Sequence, residues 1–430
     1  MNTSKTKNRW LIALAAVGIH ISIGSVYAWS VFSNPLHDAF GWDLKQISFT
    51  FGIAIFFLGA SAAVMGHVVE KKGPRFTGLI AATFFGAGVA GAGVATMLES
   101  LYLLYFSYGV LGGIGLGVGY VTPVSTLIKW FPDRRGLATG LAIMGFGFAS
   151  MIASPVIQAL ISSVGIPTTF FIMGGTYFVV MISAASYLER PPEGWQPDCM
   201  TQASAKKEVK PKACDCSQQD ANDAVRTPQF WGLWIMIFIN ITCGIAIISA
   251  ASPMAQEIAG LSAMQAATMV GIMGMLNGLG RLFWSSASDY LTRPNTFLAF
   301  FVIQIAAFTL LPSLSQALMF QLVVFLIMTC YGGGFSTLPA YIGDLFGTKQ
   351  LGAIHGYVLT AWALAGLTGS SLAAFVRELT GSYTMTMYIF VGMLTVALMI
   401  AVAMKVYVAK TQRAIENAQG TETTKDMASA

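Results

Sequence analysis

The chain has 430 residues, of which 55% are apolar and only 10% charged, with a mean hydropathy of +0.67. A soluble fold needs about 25% charged residues to cover its surface, and a disordered chain needs low hydrophobicity with high charge. Both classes are excluded, a polytopic membrane protein is expected, and the net charge of +5 has to be read loop by loop as a statement of orientation.

A bilayer core takes about 20 apolar residues per helix. Twelve runs meet that length, at 10–32, 46–69, 76–97, 101–128, 136–162, 166–188, 229–252, 262–287, 295–312, 316–342, 351–376 and 384–408. The first is too long for the apolar core of a signal peptide and has no small-residue cleavage site, so it is expected to stay as a span. It carries His20, Tyr27 and Trp29. His20 is the best-placed deep histidine and a candidate proton relay. After span two, Glu70 is followed by Lys71, Lys72 and Arg75. An acid at a helix end facing basic residues makes a breakable latch. Asp133 with Arg134 and Arg135 repeats the arrangement after span four.

Span four places Tyr120 nine residues before Lys129, behind a run of glycines that permits close helix packing. The polar stretch 189–228 follows span six. Its three cysteines, Cys199, Cys214 and Cys216, form one C-x-C and a distant third, without a fourth ligand, so no metal site is expected. No cofactor is expected either, since neither a metal-ligand cluster nor a phosphate-binding glycine loop in context is visible.

Span eight holds the most informative residue. Arg281 lies eight residues before Asp289, which marks the helix end, and is therefore about 12 Å deep at about 1.5 Å per residue. A charge there costs at least about 2.5–3.5 kcal/mol. The spans hold no deep carboxylate to pair with it, so an anionic substrate is the expected counter-ion, held by the guanidinium fork. Asn277, one turn earlier on the same face, can orient the guanidinium or bond a substrate hydroxyl. Span ten adds Tyr331 and Phe335 beside Gly332, Gly333 and Gly334. Arg377 and Tyr383 close span eleven at the outer end, where they attract anions or anchor the interface. Asp289 and Arg293 form a further candidate latch.

Of 24 basic residues, 21 fall on one set of loops and the two termini, two (Lys45 and Arg377) on the other, and one is Arg281. The split puts both termini and the linker in the cytoplasm, and a plasma (inner) membrane location is expected. Nucleic-acid binding is not expected, because the linker lacks base-stacking aromatics. Three segments also recur at a near-constant offset: Asn8-Arg9-Trp10 with Gln229-Phe230-Trp231, Gly66-x3-Glu70 with Ser285-x3-Asp289, and 130–140 with 346–356. A duplicated six-span unit is expected, with a site at the midplane between the copies.

The segment Gly66 to Arg75 resembles the loop between spans two and three of the major facilitator superfamily. Tyr27-Ala-Trp29-Ser, Trp130-Phe-Pro-Asp-Arg-Arg-Gly136 and Arg226-Thr-Pro-Gln-Phe-Trp231 resemble the oxalate/formate antiporter family and its monocarboxylate-transporter relatives. The resemblance covers nearly the whole chain. It implies an all-α fold of twelve transmembrane helices in two pseudo-symmetric halves, with transport by alternating access and no enzyme activity. Oxalate carriers of this family look to have a lysine in span eleven where alignment on Gly356 puts Trp362. Mammalian monocarboxylate transporters look to carry an aspartate where this chain has Asn277.

The resulting expectation is a carrier of small monocarboxylates such as lactate or pyruvate, coupled to a proton. Residues 1–188 and 229–408 form the halves, 189–228 the cytoplasmic linker and 409–430 a tail. The substrate contacts Arg281, Asn277, Tyr120, Tyr331 and Phe335, and the lipid bilayer and a proton are the other partners. No obligate protein partner is evident. An oxalate-for-formate exchanger and a non-transporting carboxylate sensor are the alternatives.

Overall fold

The computed structural model describes residues 7–131, 135–192, 219–347 and 350–429, with the backbone alone at 66, 67, 70, 128, 135–143, 351, 352 and 411–429. Cys199, Cys214 and Cys216 lie outside the described residues. Among the described residues twelve helices are long and apolar enough to cross a membrane, and no strand is present. They are α1 (Arg9–Phe40), α2 (Leu44–Lys72), α3 (Pro74–Met97), α4 (Leu101–Leu127), α5 (Arg135–Val164) and α6 (Ile166–Tyr187). The second six are α7 (Pro228–Ala259), α8 (Ala263–Leu291), α9 (Arg293–Ser313), α10 (Ala317–Phe346), α11 (Ala353–Thr380) and α12 (Thr384–Lys410). Each corresponds to one apolar run. Two departures from regular helix escape hydropathy: α1 tightens into a 3-10 helix over Gly24–Phe32, and α4 opens into a π-helix over Tyr105–Gly112.

The duplication is written in the turns. α1 and α7 both end on a left-handed glycine, Gly41 (φ 67°) and Gly260 (φ 62°). A side chain there would strain the backbone. Two residues later Asp43 and Ser262 open the next helices with reciprocal capping boxes to Gln46 and Gln265. All three correspondences fall 219 residues apart. The same offset pairs Gly73 (φ 91°, ψ 164°) with Thr292 (φ 70°, ψ 153°). A threonine in that nearly glycine-only region costs about 1–3 kcal/mol. The geometry of this connection is therefore set by the two helices that it joins, and the residue conforms to it.

The halves meet where side chains are smallest. α5 crosses α8 at Gly147, where an added β-carbon would come within 2.7 Å of the Gly274 carbonyl oxygen and 2.9 Å of Gly278. α2 crosses α11 likewise, with a β-carbon at Gly59 within 2.8 Å of Ala363. These crossings run from mid-helix toward the end with few basic residues. There Lys45 on α2 pairs with Glu378 on α11 at 3.6 Å and lies 4.8 Å from the Phe375 ring. The pair is exposed and contributes at most about 1 kcal/mol, so the crossing rests on packing. Gly147→Val is expected to cost about 1–3 kcal/mol by overpacking, read as a lower melting temperature of the purified protein. An unchanged melting temperature would refute the close approach.

At the basic end the described ion pairs stay within one half. Lys7 pairs with Glu189 at 2.8 Å, Trp130 Nε1 donates to the Glu189 carbonyl at 2.7 Å, and Arg190 donates to the Val69 carbonyl at 2.8 Å. The start of the linker is thus tied to the first half. Its far end is tied to the second: Gln350 accepts from the Ala221 amide at 2.8 Å and donates to Asp220 at 2.7 Å.

Candidate functional site

Arg281 lies ten residues from the end of α8, about 15 Å along the helix, and is only 4% exposed. Rings surround it. Phe335 on α10 lies 5.1 Å from the guanidinium carbon, face-on to the charge. Phe335 packs edge-on to Tyr331 at 5.4 Å and to Trp362 on α11 at 4.9 Å. From the other half, Tyr120 on α4 meets Trp362 at 5.5 Å and Phe146 on α5 at 6.0 Å. Tyr27 on α1 packs on Phe146 at 4.9 Å, and its hydroxyl lies 3.1 Å from that of Tyr331. That bond joins the halves at the centre of the molecule.

Arg281 Nε donates to Asn277 Oδ1 at 3.3 Å, the one-turn contact expected from their spacing. Its Nη1 has no hydrogen-bond partner, and neither have Asn277 Nδ2 and Trp362 Nε1. Among the described residues no carboxylate pairs with Arg281; the ion pairs involve Lys7, Lys45, Arg293 and Arg377. A buried donor without an acceptor is costly, and a buried guanidinium more so. The unpartnered atoms of this cluster on α8 and α11 are all N–H donors, and that set complements an anion.

His20 is fully buried beside the cluster, edge-on to Tyr120 at 5.8 Å and to Phe146 at 6.5 Å. Neither of its ring nitrogens has a hydrogen-bond partner. Thus Arg281, Asn277, Tyr120, Tyr331, Phe335 and His20 come together at one place. Tyr27, Phe146 and Trp362 belong to the same cage and were not among the expected contacts. Tyr27 sits two turns after His20 in the sequence, a spacing that returns to one helix face, so it was within reach. Phe146 carries no such signal.

The remaining candidates lie apart. Arg377 donates to Glu257 on α7, with an ion-pair distance of 2.9 Å, and lies 5.6 Å from the Tyr383 ring. Its charge is offset by that acid, which limits any long-range pull on anions. Arg293 bridges Asp289 at 2.5 Å and Asp344 at 3.7 Å, and also contacts Ser288. Asp344 extends the expected pair into a triad that ties α8, α9 and α10 together at the basic end. Arg75 is exposed, the Glu70 side chain is undescribed, and Asp133 and Arg134 lie outside the described residues.

The sequence model of the Major Facilitator Superfamily matches residues 12–370 and 233–426. The chain is 28% identical to the oxalate:formate antiporter of Oxalobacter formigenes, over 87% of this chain and 86% of that one. It is 27% identical to monocarboxylate transporter 12 of Mus musculus, over 83% of this chain and 76% of that one. In fold it is similar to a bacterial homologue of the human lysosomal transporter Spinster, with a TM-score of 0.72 and 15% identity over 94% of this chain and 98% of that one.

Proposed function

The chain belongs to the Major Facilitator Superfamily, and from that premise we propose that it carries small monocarboxylates such as lactate and pyruvate across the plasma (inner) membrane by alternating access. The observation that carries this reading is Arg281: buried, without a carboxylate partner among the described residues and with Nη1 free. One deep cation accommodates one carboxylate. The carboxylate accepts from the guanidinium and Asn277, while the hydroxyl or keto oxygen meets Tyr120 and Tyr331. Phe335 covers the alkyl end. Likeness to a monocarboxylate transporter over most of the chain supports the substrate class.

Residues 1–188 and 229–408 act as the two moving halves, joined by 189–228, with 409–430 as a tail. The positive-inside count puts both termini in the cytoplasm. Glu70 with Arg75, Asp133 with Arg134 and Asp289 with Arg293 serve as latches on that side. On the opposite side Arg377 and Tyr383 border the mouth. Proton symport completes the cycle, because a proton travelling with the anion makes transfer electroneutral and spares it the inside-negative potential. His20, in edge contact with Tyr120, is the candidate carrier of that proton.

Labelled lactate should enter proteoliposomes several-fold faster when the outside is made acidic. Uptake indifferent to the imposed pH gradient would overturn symport. A second reading, anion exchange, draws on the likeness to the oxalate:formate antiporter. It predicts uptake stimulated by unlabelled anion loaded inside. Trp362 disfavours its dianionic form, because it leaves the site with one deep cation.

A further inference from the structure

Behind the aromatic cage runs a buried chain of amides with no part in the contacts assigned above. Asn240 on α7 and Gln304 on α9 are both fully buried. Gln304 Nε2 donates to Asn240 Oδ1 at 2.8 Å, and Asn240 Nδ2 donates to the Tyr331 carbonyl oxygen at 3.4 Å. The glycines around Tyr331 are shaped to this arrangement. A β-carbon at Gly334 would collide with Asn240 Nδ2, and one at Gly332 would lie 2.6 Å from Asn277 Oδ1. One turn along α7 from Asn240, Gly244 receives the Tyr331 ring, and a β-carbon there would strike it. The Tyr331-Gly-Gly-Gly segment of α10 is therefore held between two asparagines, Asn277 on the Arg281 side and Asn240 on the far side.

Stability alone is a poor reason for such a ladder. Interhelical amide bonds inside membranes contribute little net stability, and this ladder leaves Gln304 Oε1 without a partner. Partly satisfied buried polar networks are costly compared with apolar packing. What the ladder does supply is a fixed register. It ties the backbone at Tyr331 to α7 and, through Asn240, to α9, a helix that contributes no residue to the cage.

We propose that Asn240 and Gln304 are positioning residues for the anion site: they fix α10 at Tyr331 and so hold the Tyr331 hydroxyl against that of Tyr27 and the Phe335 ring against Arg281. The inference rests on the monocarboxylate reading of that site. The double variant Asn240→Leu/Gln304→Leu tests it, because removing both partners leaves no orphaned polar group on either side. Lactate affinity and melting temperature are measured on the purified full-length protein, with wild type and Arg281→Gln in parallel. The double variant is expected to melt within a few degrees of wild type and to bind lactate at least tenfold more weakly. The single variant Gln304→Leu, which strands Asn240 Oδ1, is expected to lose both melting temperature and affinity.

A double variant that binds lactate as tightly as wild type, while Arg281→Gln does not bind, overturns the positioning role and leaves the site reading intact. A wild-type protein that binds no monocarboxylate, or an Arg281→Gln variant that binds as well as wild type, overturns the site reading and this inference with it. If the double variant does not fold, Gln304→Met deletes the donor at nearly constant volume. An affinity within twofold of wild type then overturns the proposal.

Discussion

Arg281→Gln is expected to weaken lactate binding at least 100-fold, about 2.8 kcal/mol, and to reduce uptake to background. The magnitude follows from the surroundings. The guanidinium is 4% exposed and has no carboxylate partner among the described residues, so an arriving carboxylate meets a charge that water does not screen. The same burial gives the variant a second signature. In the ligand-free protein the unpaired charge is a liability, so Arg281→Gln is expected to melt at or above the wild-type temperature. Arg281→Lys keeps the charge but loses the fork, and an intermediate loss of about tenfold is expected. Thermal-shift titration with lactate reads all three. A ligand-induced shift retained in Arg281→Gln would remove Arg281 from the site.

The features legible in the sequence are those in which one residue type carries one physical meaning. Twelve apolar runs can only be spans, and a lone arginine inside one of them stands out against the hydrocarbon. Asn277 followed because helical spacing puts it one turn from Arg281. What escaped the sequence depends on tertiary contact. Phe146 is one apolar residue among many on transmembrane helices, where lipid-facing and site-facing rings look alike. The ion pair of Arg377 with Glu257 joins positions 120 residues apart, which no local pattern anticipates. The amides of Asn240 and Gln304 read as isolated polar residues in apolar runs until the fold brings them together. The 3-10 stretch of α1 and the π-stretch of α4 preserve the hydropathy of an ordinary helix and so leave no mark in it.

Trp362→Lys is the substitution expected to change what the site accepts. In wild type the Trp362 ring is almost fully buried and packs on Tyr120 and Phe335, leaving Arg281 as the one deep cation of the cage. A dianion bound there would bury a second carboxylate without a counter-charge, at a cost that hydrogen bonds do not recover. Wild type is therefore expected to favour lactate over oxalate by at least 100-fold, about 2.8 kcal/mol. A lysine at 362 would reverse the balance. With a monoanion bound, the lysine ammonium has no partner and repels Arg281, so lactate affinity should fall at least tenfold. With oxalate bound, each carboxylate has its own cation. The readout is the melting temperature of the purified variant with each anion, since a ligand that binds only the folded state raises it. Oxalate should stabilise Trp362→Lys and leave wild type unmoved. If the variant gains nothing from oxalate and keeps its response to lactate, position 362 does not face the anion, and the preference for monoanions must arise elsewhere in the cage. If the variant responds to neither anion while Trp362→Leu still binds lactate, the lysine charge disrupts the monoanion site without seating a second carboxylate, and a dianion site at position 362 is refuted.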